Sequence, residues 1–442
     1  MEIYPVKGTH DIVENDAELY RSIEETCMAV AHFYGYKEIR TPIIEHTNLF
    51  VRGVGESSDI VNKEMYTFLD KGERSITLRP ELTAGVMRSI VSNKLYVNAD
   101  LPLKYYYVGP CFRYERPQAG RYRQFHQFGI EAIGSPSYYL DAETIAMGYR
   151  IASILSSSKE GENSPYKLKV YVNSLGDEDS RANYKEALKK YFAKHIENMC
   201  GDCKRRYEIN PLRILDCKVE EDQAIIKDAP KMSDYLSEDS KLYLNNVISL
   251  LKELGIEATI DDGLVRGLDY YTGVVFEYHL LDEDGKSIIG ALGGGGHYAR
   301  LLKEIGGPDL EGIGLAFGIE RLAYLIKTIH PVDEEKIYGP DFYLFGLNEE
   351  AIEENFKISD LLRVRTLSTE VCYEVKSPKS AIKTALRRGA YCAILVGEDE
   401  LAKKQVTIKN LTTQEQTSVA ISDLGDVASD IIAKRYVDVE GE

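Results

Sequence analysis

Apolar residues recur along the chain at two spacings, and the spacing changes from segment to segment. Leu19, Ile23, Cys27, Val30 and Tyr34 fall three or four apart, the stripe of an amphipathic helix over 18–34, and Gly35 ends it. The run 36–41 that follows reads as a short strand stopped by Pro42. Residues 76–79 (Ile-Thr-Leu-Arg) read as a strand feeding a helix from about Glu81 to Asn93. Residues 103–115 and 123–133 read as two strands around the turn-rich loop Arg116-Pro117-Gln118-Ala119-Gly120. Residues 177–255 are charged and mostly helical in pattern, which suggests an insertion. Glycines return in force between 263 and 326, where the small residues Gly314 and Gly318 suggest a closely packed helix. After a linker rich in Pro, Gly and acids, strand-like runs at 341–347, 391–397 and 404–409 alternate with helical ones, a small α/β domain. The predicted organisation is a main domain over 1–176 and 256–327, a helical insertion over 177–255, a linker over 328–340 and a C-terminal domain over 341–442.

Composition narrows this picture. The 442 residues allow about three domains, or two with an insertion. The N-terminal segment carries charge at Glu2 and Lys7 and no apolar run of signal-peptide length. No stretch of about 18 apolar residues occurs, which excludes a membrane-spanning helix. Seven cysteines do not make a disulfide scaffold, so a cytoplasmic protein with reduced thiols is expected. The net charge of −17 argues against a polyanionic partner only if it is evenly spread. It is not. Residues 113–126 hold four arginines and one acid, and residues 376–409 hold eight Lys/Arg and three acids.

The richest chemistry lies at 112–131. Alternation along a strand puts Arg113 and Glu115 on one face of the first strand, and Phe125, Gln127, Gly129 and Glu131 on one face of the second. A guanidinium, carboxylates, an amide and a ring on one surface suit a phosphate, a base and an amine. The competing reading is a solvated ribbon with surface ion pairs. His126 falls on the apolar side and reads as a packed histidine. Glu81, with Thr83, sits at a helix start, where a carboxylate is favoured by the dipole, or else holds a ligand ammonium group. Residues 263–273 (GLVRGLDYYTG) suggest a tight ligand-facing turn, and the four glycines at 293–296 permit close backbone approach. The latter match neither a Walker loop nor a Rossmann fingerprint. Cys200-Gly-Asp-Cys203 with Cys217 has metal-like spacing but supplies three ligands. The fourth would have to be His195 or something remote, so free thiols are expected and no metal is assigned.

In this order the motifs resemble the histidyl-tRNA synthetase family of class II aminoacyl-tRNA synthetases. Lys7-Gly8-Thr9-His10-Asp11 is similar to that family's opening motif, the helix and strand ending at Pro42 to motif 1, residues 112–131 to motif 2 and 312–322 to motif 3. Arg266-Gly267-Leu268-Asp269-Tyr270-Tyr271 resembles the segment that sets the histidine enzymes apart within the class. The resemblance implies an α+β catalytic domain with an antiparallel sheet, a helical insertion, an α/β anticodon-binding domain, and a homodimer built through motif 1. It also implies a role in protein biosynthesis: the histidine carboxylate attacks the α-phosphorus of ATP, Mg²⁺ bridging the phosphates, and the adenylate acylates tRNA(His). Carried over motif by motif, Arg113, Arg266 and Arg321 clamp the phosphates, Arg266 as the main electrophile. Phe125 stacks the adenine beside Glu115. Glu81, Thr83 and Gln127 hold the α-amino group. Glu131 and Tyr271 bind the imidazole, with Tyr270 and Tyr298 in the same pocket. Arg116, Gln118 and Arg121 meet the acceptor stem. Two departures stand out. His297 and Ala299 flank Tyr298 where the family more often has Arg and an acid or amide, and Ala119 replaces a residue that is often basic.

Ser377, Pro378 and Gly389 have the spacing of helix boundaries, and between them Lys379, Lys383 and Arg387 form a basic stripe, with Ile382 and Leu386 on another face. The stripe is either a solvated face or, as the family's anticodon-binding domain implies, a phosphate contact. The alternative within the same lineage is a non-catalytic, histidine-sensing regulatory subunit of ATP phosphoribosyltransferase. Such paralogues typically lose the C-terminal domain and part of the arginine set.

Overall fold

The computed structural model describes residues 3–55, 58–117, 120–157, 165–265, 270–330 and 339–440. The chain divides into two compact units, Met1–Pro331 and Val332–Glu442. Among the described residues no helix is long and apolar enough to cross a membrane.

The first unit is built on an eight-stranded sheet. Its strands are β1 (Lys37–Glu38), β2 (Leu103–Phe112), β3 (Gln124–Ile133), β4 (Lys167–Ser174), β5 (Ala258–Ile260), β6 (Val274–Leu281), β7 (Gly293–Tyr298) and β8 (Gly312–Gly318), in spatial order β1-β2-β3-β8-β7-β6-β4-β5. All pairings are antiparallel except β1 with β2 and β4 with β5 at the two edges. Alternation explains the two faces. Phe128, Ile130 and Ala132 of β3, with Ile313, Leu315 and Phe317 of β8, are buried on one face. There they meet α1 (Glu14–Phe33), α3 (Tyr138–Ser156) and α8 (Ile319–Ile329), whose inward residues include Ile23, Cys27 and Val30 of the expected stripe. The opposite face carries the cavity described below, bordered by α2 (Thr83–Ser92).

Several expectations change in detail. The strand after Gly35 is only two residues long. Beyond it the chain is tied to the sheet by Arg79, whose guanidinium donates to the carbonyls of Thr41 and Pro110, each at 2.8 Å. Arg113 and Glu115 lie past the end of β2, because pairing stops at Phe112↔Gln124. Residues 312–318 form a strand, not a helix: Ile313, Leu315 and Phe317 alternate with Gly312, Gly314 and Ala316, a period of two. The small residues serve strand packing, and the helix that carries Arg321 starts at Ile319.

The insertion holds α4 (Glu178–Phe192), α5 (Gly201–Ile209), α6 (Glu220–Ile226) and α7 (Glu238–Glu253). Tyr184, Leu188, Phe192, Cys203, Leu212 and Ile214 make a small core of their own. Leu244, Val247 and Leu251 of α7 instead join the main core.

The second unit has a five-stranded sheet: β9 (Phe342–Gly346), β10 (Thr369–Val371), β11 (Cys392–Val396), β12 (Gln405–Asn410) and β13 (Gln416–Ala420), in order β10-β9-β11-β12-β13. The three predicted strands are β9, β11 and β12. Helices α9 (Glu349–Val364), α10 (Pro378–Arg387) and α11 (Leu424–Glu440) accompany it. Ser377 occupies the N-cap of α10 but its side chain makes no capping bond. The buried face of α10 is Ala381 and Ala385, and Leu386 is exposed. Lys379, Lys383 and Arg387 are also exposed, as the stripe requires.

Candidate active site

A cavity of about 470 Å³ opens on the second face of the main sheet. β3 aims Phe125, Gln127 and Glu131 into it, as alternation predicts. Their neighbours across the strand pair are Cys111, Gly109 and Tyr105. Between these, Tyr107 stands opposite Gly129, whose missing Cβ leaves room for the phenol; a methyl group there would overlap the Tyr107 hydroxyl.

Glu131 is the centre of the deep end. Its side chain is 1% exposed. Tyr107 donates to Oε1 at 3.0 Å and Tyr298 donates to Oε2 at 2.6 Å. Burial pushes the carboxyl up to about 8, although the hydroxyls of Tyr298, Thr83 and Tyr107 pull the other way. Gly314 makes space for this carboxylate from β8. Tyr270, Tyr271 and Tyr298 form a wall, with ring centroids 4.6 Å apart for the first pair and 5.8 Å for Tyr270 and Tyr298. Gly296 of the glycine run admits the Tyr271 ring.

Glu81 also lines the cavity, and it satisfies the helix-start reading as well. Its carboxylate accepts the backbone N–H groups of Thr83 (2.7 Å) and Ala84 (2.9 Å) at the start of α2. Burial raises its pKa. Gln127 Oε1 accepts the Cys111 thiol at 3.4 Å, which orients the amide.

The mouth is cationic. Arg113 is pinned by donation from Nε to the Pro80 carbonyl at 2.8 Å, lies 3.7 Å from Glu115 and stands over the Phe125 ring at 5.2 Å. Arg121 lies 3.9 Å from the other Glu115 oxygen. Arg321 donates Nη2 to the Ile289 carbonyl, while its Nε is buried without an acceptor among the described residues. Burial, then the nearby Arg121, lowers the pKa of Arg321. Of the residues expected at the site, Glu81, Thr83, Arg113, Glu115, Arg121, Phe125, Gln127, Glu131, Tyr270, Tyr271, Tyr298 and Arg321 all line this one cavity. Arg116 is exposed on the loop between β2 and β3. Arg266 and Gln118, with Ala119, lie outside the described residues.

Three features escaped the sequence reading, as did the docking of the 7–11 motif it had singled out. Tyr107 was detectable, since counting back by twos from Arg113 reaches it. Glu320, at the start of α8, accepts the His126 backbone N–H at 2.8 Å and faces its Nδ1 at 3.0 Å, so His126 is packed and fixes the strand beside Phe125 and Gln127. The motif at 7–11 docks here too: the Gly8 carbonyl accepts the Arg123 N–H at 2.7 Å, and the His10 ring lies 4.2 Å from that of Tyr122. Finally, Arg206, Arg213 and Asp216 of the insertion reach the cavity. Arg205 and Arg206 both donate to Asp59, each at 2.7 Å. No local pattern announces such a long-range clasp.

An antiparallel sheet bearing an arginine-mouthed, carboxylate-floored cavity, with a separate α/β unit after it, defines a class II aminoacyl-tRNA synthetase. The histidyl-tRNA synthetase family model matches residues 8–322, and the anticodon binding domain model matches residues 332–431. The histidine–tRNA ligase of Bacillus subtilis (strain 168) is 47% identical over 94% of this chain and 96% of its own length, and that of Halalkalibacterium halodurans is 46% identical over 96% and 97%. The crystal structure of apo S. aureus histidyl-tRNA synthetase superposes with a TM-score of 0.78 at 38% identity, covering 96% of this chain and 99% of that one. The chain belongs to the histidyl-tRNA synthetase family.

Proposed function

We propose that the protein is a histidine–tRNA ligase, which activates histidine with ATP and transfers it to the 3′ end of tRNA(His). The observation that carries this reading is Glu131, buried between two phenols below a mouth of arginines. A carboxyl group has about four lone-pair sites. Tyr107 and Tyr298 take one on each oxygen, which leaves free acceptor capacity for an imidazole N–H. Tyr271, on the facing wall, completes a pocket for the second ring nitrogen. A side chain without paired ring nitrogens leaves these buried groups unsatisfied, which costs enough to reject it without editing.

The α-amino group is held by Glu81, Thr83 and Gln127 near the Arg113 side of the cavity. The histidine carboxylate then faces the α-phosphorus of ATP in line with the departing pyrophosphate. Such a displacement needs fixed charge more than proton transfer. Arg113 holds the α-phosphate and Arg321 holds the far end; Arg266 takes its role, neutralising the attacked phosphoryl group, from the motif it belongs to. The buried Nε of Arg321, without an acceptor among the described residues, supports an anionic ligand there. Phe125 stacks the adenine, with Glu115 at its exocyclic amine. The carboxylate of Glu277 lines the cavity and suits a hard cation. Mg²⁺, when bound, neutralises the phosphates. In the second step the adenylate acylates the terminal ribose of tRNA, with Arg116, Gln118 and Arg121 at the acceptor stem and Lys379, Lys383 and Arg387 at the anticodon arm.

The retained arginines and C-terminal unit separate this chain from a histidine-sensing regulatory subunit. Exposed Ile43, Ile44, Phe68 and Leu69, on and beside a three-stranded sheet formed by Ile44–His46, Tyr66–Leu69 and Ser75–Leu78, support a homodimer formed there. Seven cysteines, none in a disulfide, fit a reducing cytoplasm.

Histidine-dependent exchange of pyrophosphate into ATP tests the reading. Exchange is expected with histidine and not with other amino acids. Glu131→Gln should raise half-saturating histidine about tenfold or more, with ATP half-saturation unchanged. Well-folded protein without exchange would overturn the ligase.

A further inference from the structure

The insertion that reaches over the cavity holds a second cluster of chemistry. We propose that Cys200, Cys203, Cys217 and Asp222 bind one structural zinc ion. Cys200 and Cys203 flank the first turn of α5, Cys217 follows the 3₁₀ segment Pro211–Asp216, and Asp222 sits in the first turn of α6. Three separate pieces of chain thus converge, and one potential ligand atom from each residue lies within 4.8 Å of all the others.

The distances fit a tetrahedral ion. Bonds of about 2.3 Å to sulfur put two ligand sulfurs about 3.8 Å apart. Cys200 Sγ and Cys217 Sγ are separated by 3.8 Å, and Cys217 Sγ lies 3.2 Å from Asp222 Oδ2. Two backbone N–H groups, those of Cys203 and Val219, donate to Cys200 Sγ and Cys217 Sγ at 3.5 Å each. Donors aimed at sulfur are what metal-bound thiolates require around them. The Cys200 N–H donates to both oxygens of Asp222 at 3.2 Å, holding the carboxylate in the cluster. Cys203, Cys217 and Asp222 are almost wholly buried, at 0%, 4% and 1% exposure. His195 takes no part; its ring packs on Tyr191 at 5.1 Å. Three sulfurs with one oxygen in a closed site select zinc over a hard cation. A Cys200–Cys217 disulfide would leave the convergence of Cys203 and Asp222 unexplained.

The site's role is positional. The helix that starts between the first two ligands carries Arg205 and Arg206, which clasp Asp59, and the segment between Cys203 and Cys217 carries Arg213 and Asp216, which line the active cavity. One ion therefore fixes both the clasp and the roof residues.

Full-length protein, purified under reducing conditions without chelator and equilibrated with zinc, should contain about one tightly held ion per chain by elemental analysis after desalting. The cobalt(II)-exchanged protein should show thiolate-to-cobalt charge-transfer absorption and intense tetrahedral d–d bands. Asp222→Asn and Cys203→Ser should lose the metal or change the cobalt spectrum, and Cys372→Ser, in the other unit, should not. If the Cys203 variant fails to fold, the wild-type protein still decides: mercurial titration should release the ion in step with three protected thiols. Full-length protein that holds no ion after zinc equilibration overturns the proposal, as does a Cys200–Cys217 disulfide under those conditions.

Discussion

At His297 both ring nitrogens face carboxylates. Nδ1 lies 3.2 Å from each oxygen of Asp141, and Nε2 lies 2.9 Å from Glu311. Burial alone would lower the pKa of this imidazole, but Asp141 and Glu311 overrule it and raise it to about 9. The sign follows from linkage: a folded pKa above the ordinary value of about 6.5 stabilises fully below that pH, and the gain is lost as pH rises through about 9. The full contribution is at most about 3 kcal/mol. His297→Gln should therefore be less stable than wild type at about pH 6, and the gap should close by about pH 10. Denaturation midpoints of both proteins across this range check it; a gap independent of pH would contradict the imidazolium. The residue also shows what a sequence conceals. That His297 departs from the usual family residue was visible beside Tyr298, whereas its partners sit 156 and 14 positions away and belong to a buried network that no spacing predicts. Tyr298 lines the cavity with Tyr271.

The strands carry more of the site than any loop does, and glycines decide what they carry. Gly314 on β8 is paired with Glu131 on β3 and Gly296 on β7. A Cβ built on it would overlap Glu131 Oε2. Gly314→Ala should push the carboxylate off the Tyr107 and Tyr298 hydroxyls at a cost of about 1–3 kcal/mol, and raise half-saturating histidine about tenfold or more, with ATP dependence little changed. Pyrophosphate exchange at varied histidine measures this, and unchanged histidine dependence would show that the sheet gives way at no cost to the site. At this scale the sequence was legible wherever alternation was strong. Phe125, Gln127 and Glu131 could be placed on one face because Phe128, Ile130 and Ala132 mark the other. It failed at 312–318, where small residues drew attention away from the period of two in Ile313, Leu315 and Phe317. It missed Tyr107 as well, although alternation from Arg113 reaches it, because one more tyrosine in an aromatic strand does not stand out until its partner Gly129 is known.

On the scale of the whole chain, the net charge of −17 and a polyanionic substrate are reconciled by confining the positive charge. Outside residues 113–126 and 376–409 the chain carries about −25, a field that repels nucleic acid from most of the surface. In the second unit α10 presents Lys379, Lys383 and Arg387 on an exposed face while Ala381 and Ala385 face the core, so the three cations can be neutralised without touching the packing. Replacing all three by glutamine should leave histidine-dependent pyrophosphate exchange at the wild-type rate, since that reaction needs only the first unit's cavity. Aminoacylation should suffer through a higher KM for tRNA. Because each phosphate contact releases condensed counterions, the slope of log affinity against log salt should flatten by roughly 2 to 3 in the triple variant. Titrating tRNA binding at several salt concentrations gives that slope directly. If it is unchanged while the variant remains folded, the stripe is a solvated face, and the tRNA contacts of the C-terminal unit must be sought on another surface.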